Sequence, residues 1–154
     1  MANEPLGDNH AVENVVQLRV TYAEVDKMGV VYYGNYLRWF EIGRTEHIRA
    51  HGKSYKEWEA EGYVFPVVEA YARYRVSAFY DDVVEICTAH TFESAARVKF
   101  VYRVLRQADQ TLLVEGHTVH ACLGPSGRPR RFPLEVLQAN SVNSSKSALP
   151  DFLG

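Results

Sequence analysis

Residues 26–36 read Asp-Lys-Met-Gly-Val-Val-Tyr-Tyr-Gly-Asn-Tyr and lie between a strand-like and a helix-like segment. One carboxylate, Asp26, stands in the turn, and its neighbours are otherwise mostly aromatic and aliphatic. A loop aspartate commonly caps a turn through its own backbone, and that is the plain structural reading of Asp26 taken alone. The approaching helix adds chemistry. A helix start presents unpaired N–H groups and partial positive charge. Placed near Tyr33, Gly34 and Asn35, it could hold a developing oxyanion. Gly34 leaves the backbone uncovered, so a carbonyl can approach it closely. A carboxylate that attacks or activates water, beside amides that hold the oxyanion, supplies the two parts that acyl transfer needs.

These groups must be positioned by the elements around them. Val16, Leu18, Val20 and Tyr22 alternate with Gln17, Arg19 and Thr21, the pattern of a half-buried strand. The spacing predicts a helix from Asn35 to about His51, with Leu37, Phe40, Arg44 and Ile48 on one stripe and Tyr36, Gly43 and His47 alongside. Gly43 inside that helix costs about 1 kcal/mol relative to Ala, so the helix is expected to approach a sheet closely there. Gly52 stops the helix, and Ser54 with Glu57 forms a capping box for a short helical piece. Residues 63–77 are β-rich but hold Pro66, which predicts an edge or a bend. Two alternating runs follow: Val84, Ile86, Thr88, His90 and Phe92, then Val98, Phe100, Tyr102 and Val104. "QADQ" turns the chain into a last strand over 111–123, closed by Gly124-Pro-Ser-Gly127. The plan is α+β, with one long helix laid on one face of an antiparallel sheet. A polar arm (1–13) and a Ser/Asn-rich tail (138–154) flank a single domain (14–137).

The bulk numbers exclude several classes. The chain has 154 residues, 47% hydrophobic, with formal net charge −2, so no global charge draws it to nucleic acid or an anionic membrane. No apolar run approaches the ~18 residues of a membrane span. The polar N-terminus lacks the pattern of a signal peptide, and the expected location is cytoplasmic. Cys87 and Cys122 sit in apolar segments outside any CxxC and are expected to be buried and reduced. His117 and His120 lie i,i+3 on a strand and face opposite sides, so they cannot share an ion. No metal and no cofactor are expected. Arg128, Arg130 and Arg131 form a patch too small for nucleic acid, though arginine suits the phosphates of a nucleotide-like ligand. Arg97 and Lys99 are similar candidates.

"D-x-x-G-V-V-Y-Y-x-N-Y" from Asp26 to Tyr36, with "LRWFEIGRTE", "YRVSAFYDDVVEI" and "GHTVHACLGPSGRP", resembles the hot-dog-fold acyl-CoA thioesterases of the 4-hydroxybenzoyl-CoA thioesterase type. The resemblance covers roughly residues 16–133. It implies a long central helix wrapped by a curved antiparallel sheet of about five strands. Such units pair into homodimers or homotetramers, with thioester sites between subunits. By that likeness Asp26 is the nucleophile or general base, and the amides of Tyr33 and Gly34 polarise the thioester carbonyl. Val31, Tyr32, Asn35, Tyr36 and Trp39 would shape the acyl site, and Arg128 and Arg131 would meet phosphates of coenzyme A. Several bacterial members carry His where this chain has Tyr33, so a histidine-assisted mechanism is not expected. A branch that uses a helix glutamate would place the role on Glu41 or Glu46, although Glu41 is also spaced to pair with Arg38 and Arg44. The implied activity is hydrolysis of acyl-CoA to free acid and CoA, with acyl-carrier protein as another possible donor. The alternatives are a hydratase or dehydratase of acyl thioesters, disfavoured because no His lies between Val12 and Glu46, and a protein that binds acyl-CoA or acyl-carrier protein without turnover.

Overall fold

In the computed structural model, which describes residues 13–137 and 147–148, strand β1 (Asn14–Arg19) leads through a 3-10 turn (Tyr22–Glu24) and a loop into the long helix α1 (Asn35–Ala50). A short helix α2 (Tyr55–Ala60) follows, then β2 (Val67–Tyr74), β3 (Val83–Ser94), β4 (Arg97–Arg106) and β5 (Leu112–Ala121). The two-residue β6 (Ser147–Ala148) lies in the stretch expected to be an unstructured tail, and it pairs in parallel with Val16 and Gln17. The sheet order is β2-β5-β4-β3-β1-β6, and every other pairing is antiparallel. The expected α+β plan is therefore present. The rest of the arm and tail lies outside the described residues.

Strand β1 ends sooner than the alternation suggested. Tyr22 is not a core residue: it is 74% exposed and stacks on Tyr80 at 4.0 Å between ring centroids. Helix α1 begins at Asn35 as expected and ends one residue early, with His51 as its cap and Gly52 at φ +122° beyond it. Its buried face runs through Tyr36, Trp39, Phe40, Gly43, His47 and Ile48, while Leu37 is exposed. Gly43 explains this rotation of the stripe. A Cβ there would sit 2.5 Å from Thr88 Oγ1 and 2.7 Å from Ile86 Cγ2, so the helix rests on β3 through its glycine. Ser54 caps α2 by accepting from the Glu57 N–H at 3.2 Å, one half of the expected box.

Strand β3 is buried on both faces over most of its length, Glu85, Cys87 and Ala89 included, where simple alternation predicted an exposed face. It lies between β1 and β4, and Glu85 is satisfied there by the amide groups of Gln17 and Gln110. Strand β2 follows Pro66 and forms one edge of the sheet, with Val67, Val68, Tyr71 and Tyr74 exposed. Both cysteines are free and buried, and burial pushes the Cys87 thiol up to about 12.

Candidate active site

The loop from Val25 to Gly34 is shaped by backbone bonds and by one buried acid. Asp26 N–H donates to Val30 O at 2.9 Å and Gly29 N–H to Asp26 O at 3.0 Å, closing a turn in which Gly29 takes φ +78°. Asp26 Oδ1 accepts the Met28 N–H at 2.8 Å. The capping role is thus real, and it also fixes the carboxylate's orientation. Val31 N–H donates to Ala78 O and Tyr32 N–H to Glu24 O, both at 2.9 Å, which pins the loop to the segment between β2 and β3 and to the 3-10 turn.

The N–H groups of Tyr33 and Gly34 donate to no partner among the described residues. Asn35 N–H is already committed to Tyr32 O at 2.9 Å. The helix start therefore offers two amides, at the positions singled out in the sequence, and not at Asn35. Gly34 caps the helix in helical geometry, and a Cβ there would meet the exposed Tyr32 ring at 2.9 Å.

Asp26, Val31, Tyr33 and Tyr36 line one open pocket of about 280 Å³. The same walls include Met28 and Val30 from the loop, Tyr74 from the end of β2, and Arg75 to Ser77 beyond it. Tyr74 donates its hydroxyl to Tyr33 O at 3.2 Å, and the buried Tyr36 hydroxyl accepts the Ala78 N–H at 3.1 Å. Burial raises the Tyr36 phenol above its ordinary range. Sequence reasoning missed the contribution of residues 74–77, although the run beginning "YRVSAF" carried the signal.

Other expected site residues lie elsewhere. Trp39 is fully buried in the core, and its indole N–H donates to Glu24 Oε2 at 2.6 Å, so it does not face the pocket. Tyr32 is 50% exposed and lies off the pocket wall, its ring tilted against Tyr33. The Asn35 side chain is spent on Glu24 O at 2.8 Å. Arg128 and Arg131 are exposed in the segment after β5 and do not line this pocket. Glu41 forms no ion pair among the described residues: Arg38 turns to Glu24 at 3.6 Å, and Glu46 pairs with Arg49.

Glu24 is the residue the sequence did not announce. Its buried carboxylate accepts Thr21 N–H at 2.8 Å, Thr21 Oγ1–H at 3.0 Å and the Trp39 indole. Its only sequence signal is the Thr21-to-Glu24 spacing of a capping box.

A second unannounced cluster joins His47 of α1 and its cap His51, one turn on, to His90 on β3, with one nitrogen from each within 4.8 Å of the others. His47 Nε2 and His90 Nδ1 share a hydrogen bond at 2.8 Å, and His51 Nδ1 lies 2.6 Å from His47 O. Burial, then the neighbouring imidazoles, lower the His47 pKa to about 2. His117 and His120 point apart as expected: His120 is buried, whereas His117 stacks on Tyr71 and reaches Glu69 at 3.3 Å.

Comparison with known proteins bears on the fold and the family. The family described as "Thioesterase-like superfamily" matches residues 20–140. The acyl-CoA thioester hydrolase YbgC of Escherichia coli O157:H7 is 33% identical over 121 residues, 78% of this chain and 90% of that protein. The solved DHNA-CoA thioesterase of Staphylococcus aureus superposes with TM-score 0.73 at 32% identity, covering 78% of this chain and 80% of that one. A 4-hydroxybenzoyl-CoA thioesterase variant in complex with 4-hydroxybenzoyl-CoA shares the fold, with TM-score 0.74 at 21% identity over 84% of this chain and 99% of that one. The antiparallel sheet with its long helix is thus the hot-dog fold, and the chain belongs to the thioesterase-like superfamily.

Proposed function

We propose that this protein hydrolyses acyl-CoA thioesters to the free acid and CoA, with Asp26 as nucleophile or general base and the amides of Tyr33 and Gly34 as the oxyanion site. The observation that carries the reading is that Asp26 and Tyr33 share one pocket wall while those two N–H groups stay uncommitted. The acyl-CoA thioester hydrolase and DHNA-CoA thioesterase functions of the bacterial relatives support it.

One Asp26 oxygen is held by Met28 N–H, which leaves the other to react. In the nucleophilic route it bonds to the thioester carbon, the C–S bond breaks, and CoA leaves as a thiolate that takes up a proton. Water then opens the mixed anhydride and restores the carboxylate. In the general-base route the same oxygen takes the proton of the attacking water. Either way, negative charge grows on the carbonyl oxygen, where fixed amides stabilise it without reorganisation.

Asp26 is exposed in the single chain, and an aqueous carboxylate is both a weak base and a weak nucleophile. A second copy paired along the free β2 edge would dry the pocket, because Tyr74 at the end of that strand already forms part of its wall. A homo-oligomer is therefore part of the proposal. Arg75 on the pocket wall joins Arg128 and Arg131 as a candidate for the CoA phosphates.

The test is an Asp26→Asn variant assayed for free-thiol release against short, long and aromatic acyl-CoAs. Turnover is expected to fall at least ~10²-fold with the fold retained, the usual size for removing one catalytic group. Hydrolysis near the wild-type rate would remove Asp26 from the mechanism.

A further inference from the structure

A second cavity, of about 190 Å³, opens beside the middle of α1 and shares no wall residue with the Asp26 pocket. Phe65, Phe100 and Phe132 supply aromatic walls, with Phe65 and Phe132 stacked at 5.0 Å. Arg44 is the one Lys or Arg that lines it. Its guanidinium is half-buried and meets no carboxylate at ion-pair distance among the described residues. Glu41, one turn earlier, is exposed at the same cavity and does not pair with it.

A guanidinium stays charged at any working pH, and taking it partly out of water without an anion is costly. Its field reaches into the core. Through its charge and a side-chain hydrogen bond it lowers the Tyr102 phenol against the larger upward effect of burial, and its charge adds to the burial that brings His120 down to about 4. Neutral His120 is already committed, with Nδ1 2.8 Å from Phe65 O and Nε2 2.9 Å from Thr118 Oγ1. One Arg44 donor is engaged with Tyr102, and the rest of its five N–H groups are the charged donors left for a ligand. A dry cavity of about 150 Å³ admits benzene, so this one has room for a single ring and a carboxylate.

The geometry points to a binding site for a small aromatic or similarly compact monocarboxylic acid, its carboxylate on Arg44 and its apolar body between Phe65, Phe100 and Phe132. This site is separate from the Asp26 pocket, and its occupancy does not depend on turnover there.

Calorimetric titration of the full chain with benzoate, benzyl alcohol and benzylamine tests it, using wild type, Arg44→Gln, Arg44→Lys and Asp26→Asn. Benzoate is expected to bind saturably to wild type and to Asp26→Asn alike. Binding should weaken at least ~10-fold in Arg44→Gln and by less in Arg44→Lys, because the charge survives while the bidentate fork does not. Benzyl alcohol should bind at least ~10-fold more weakly than benzoate for the same reason. A wild type that does not bind benzoate overturns the assignment, as does equal binding by Arg44→Gln, loss of binding in Asp26→Asn, or a preference for benzylamine. None of these readouts requires thioester hydrolysis, so failure here leaves the reading of Asp26 standing, and the reverse holds too.

Discussion

The carboxylate of Glu24 receives the Trp39 indole N–H at 2.6 Å and the Thr21 N–H at 2.8 Å, while its main-chain oxygen holds Tyr32 N–H and the Asn35 amide. One residue thus ties the Val25–Gly34 loop to the first turn of the helix, and Asp26, two positions on, inherits its placement. Truncating Glu24 to Ala would strand a buried indole and a backbone donor, each costing roughly 1–3 kcal/mol when left unpaired. Glu24→Ala is therefore expected to lower unfolding stability by about 3 kcal/mol, read from the urea midpoint at unchanged slope. A loss below about 0.5 kcal/mol would show that water replaces the carboxylate, and that Glu24 does not anchor the loop.

Helix α1 illustrates how an element is placed by what it lacks. Gly43 weakens the helix by about 1 kcal/mol, yet it lets the backbone settle against Thr88 and Ile86 of β3. That contact turns His47 and Trp39 inward and leaves Leu37 exposed and Arg44 half-buried beside the aromatic cavity. Gly43→Ala sets the helix-propensity gain against a Cβ 2.5 Å from a hydroxyl oxygen on a buried strand. Overpacking of a fixed core wins, and a net loss of about 1–3 kcal/mol in a urea titration is expected. A stabilised variant would show that the helix can lift from the sheet at no cost.

At the scale of the whole molecule, the sheet has an edge at β2 with Val67, Val68, Tyr71 and Tyr74 uncovered. An exposed apolar edge is a template for another strand, and the pocket beside its end gains a cover from any copy that pairs there. Val68→Lys places a charge on that edge. It is expected to yield a monomer by light scattering and to lower thiol release at least ~10-fold, the scale of loss when a site's supporting geometry is displaced. An oligomer that survives this change would have to pair through another surface.

Legibility followed the range of the interactions. The helix bounds, the β2 edge after Pro66, the α+β plan, and the placing of Asp26 and Tyr33 at one pocket could all be read from the chain. Periodicity, capping and turn chemistry act over a few residues, so the amino-acid order alone contains them. The burial of both faces of β3, the retreat of Trp39 into the core, the Glu24 anchor, the three-histidine cluster and the half-buried Arg44 beside the aromatic cavity could not be read there. Each joins residues distant in sequence, such as His47 with His90 or Arg44 with Phe132. The depth and partners of a side chain are set by which elements the folded sheet and helix bring together, and local pattern carries no record of that.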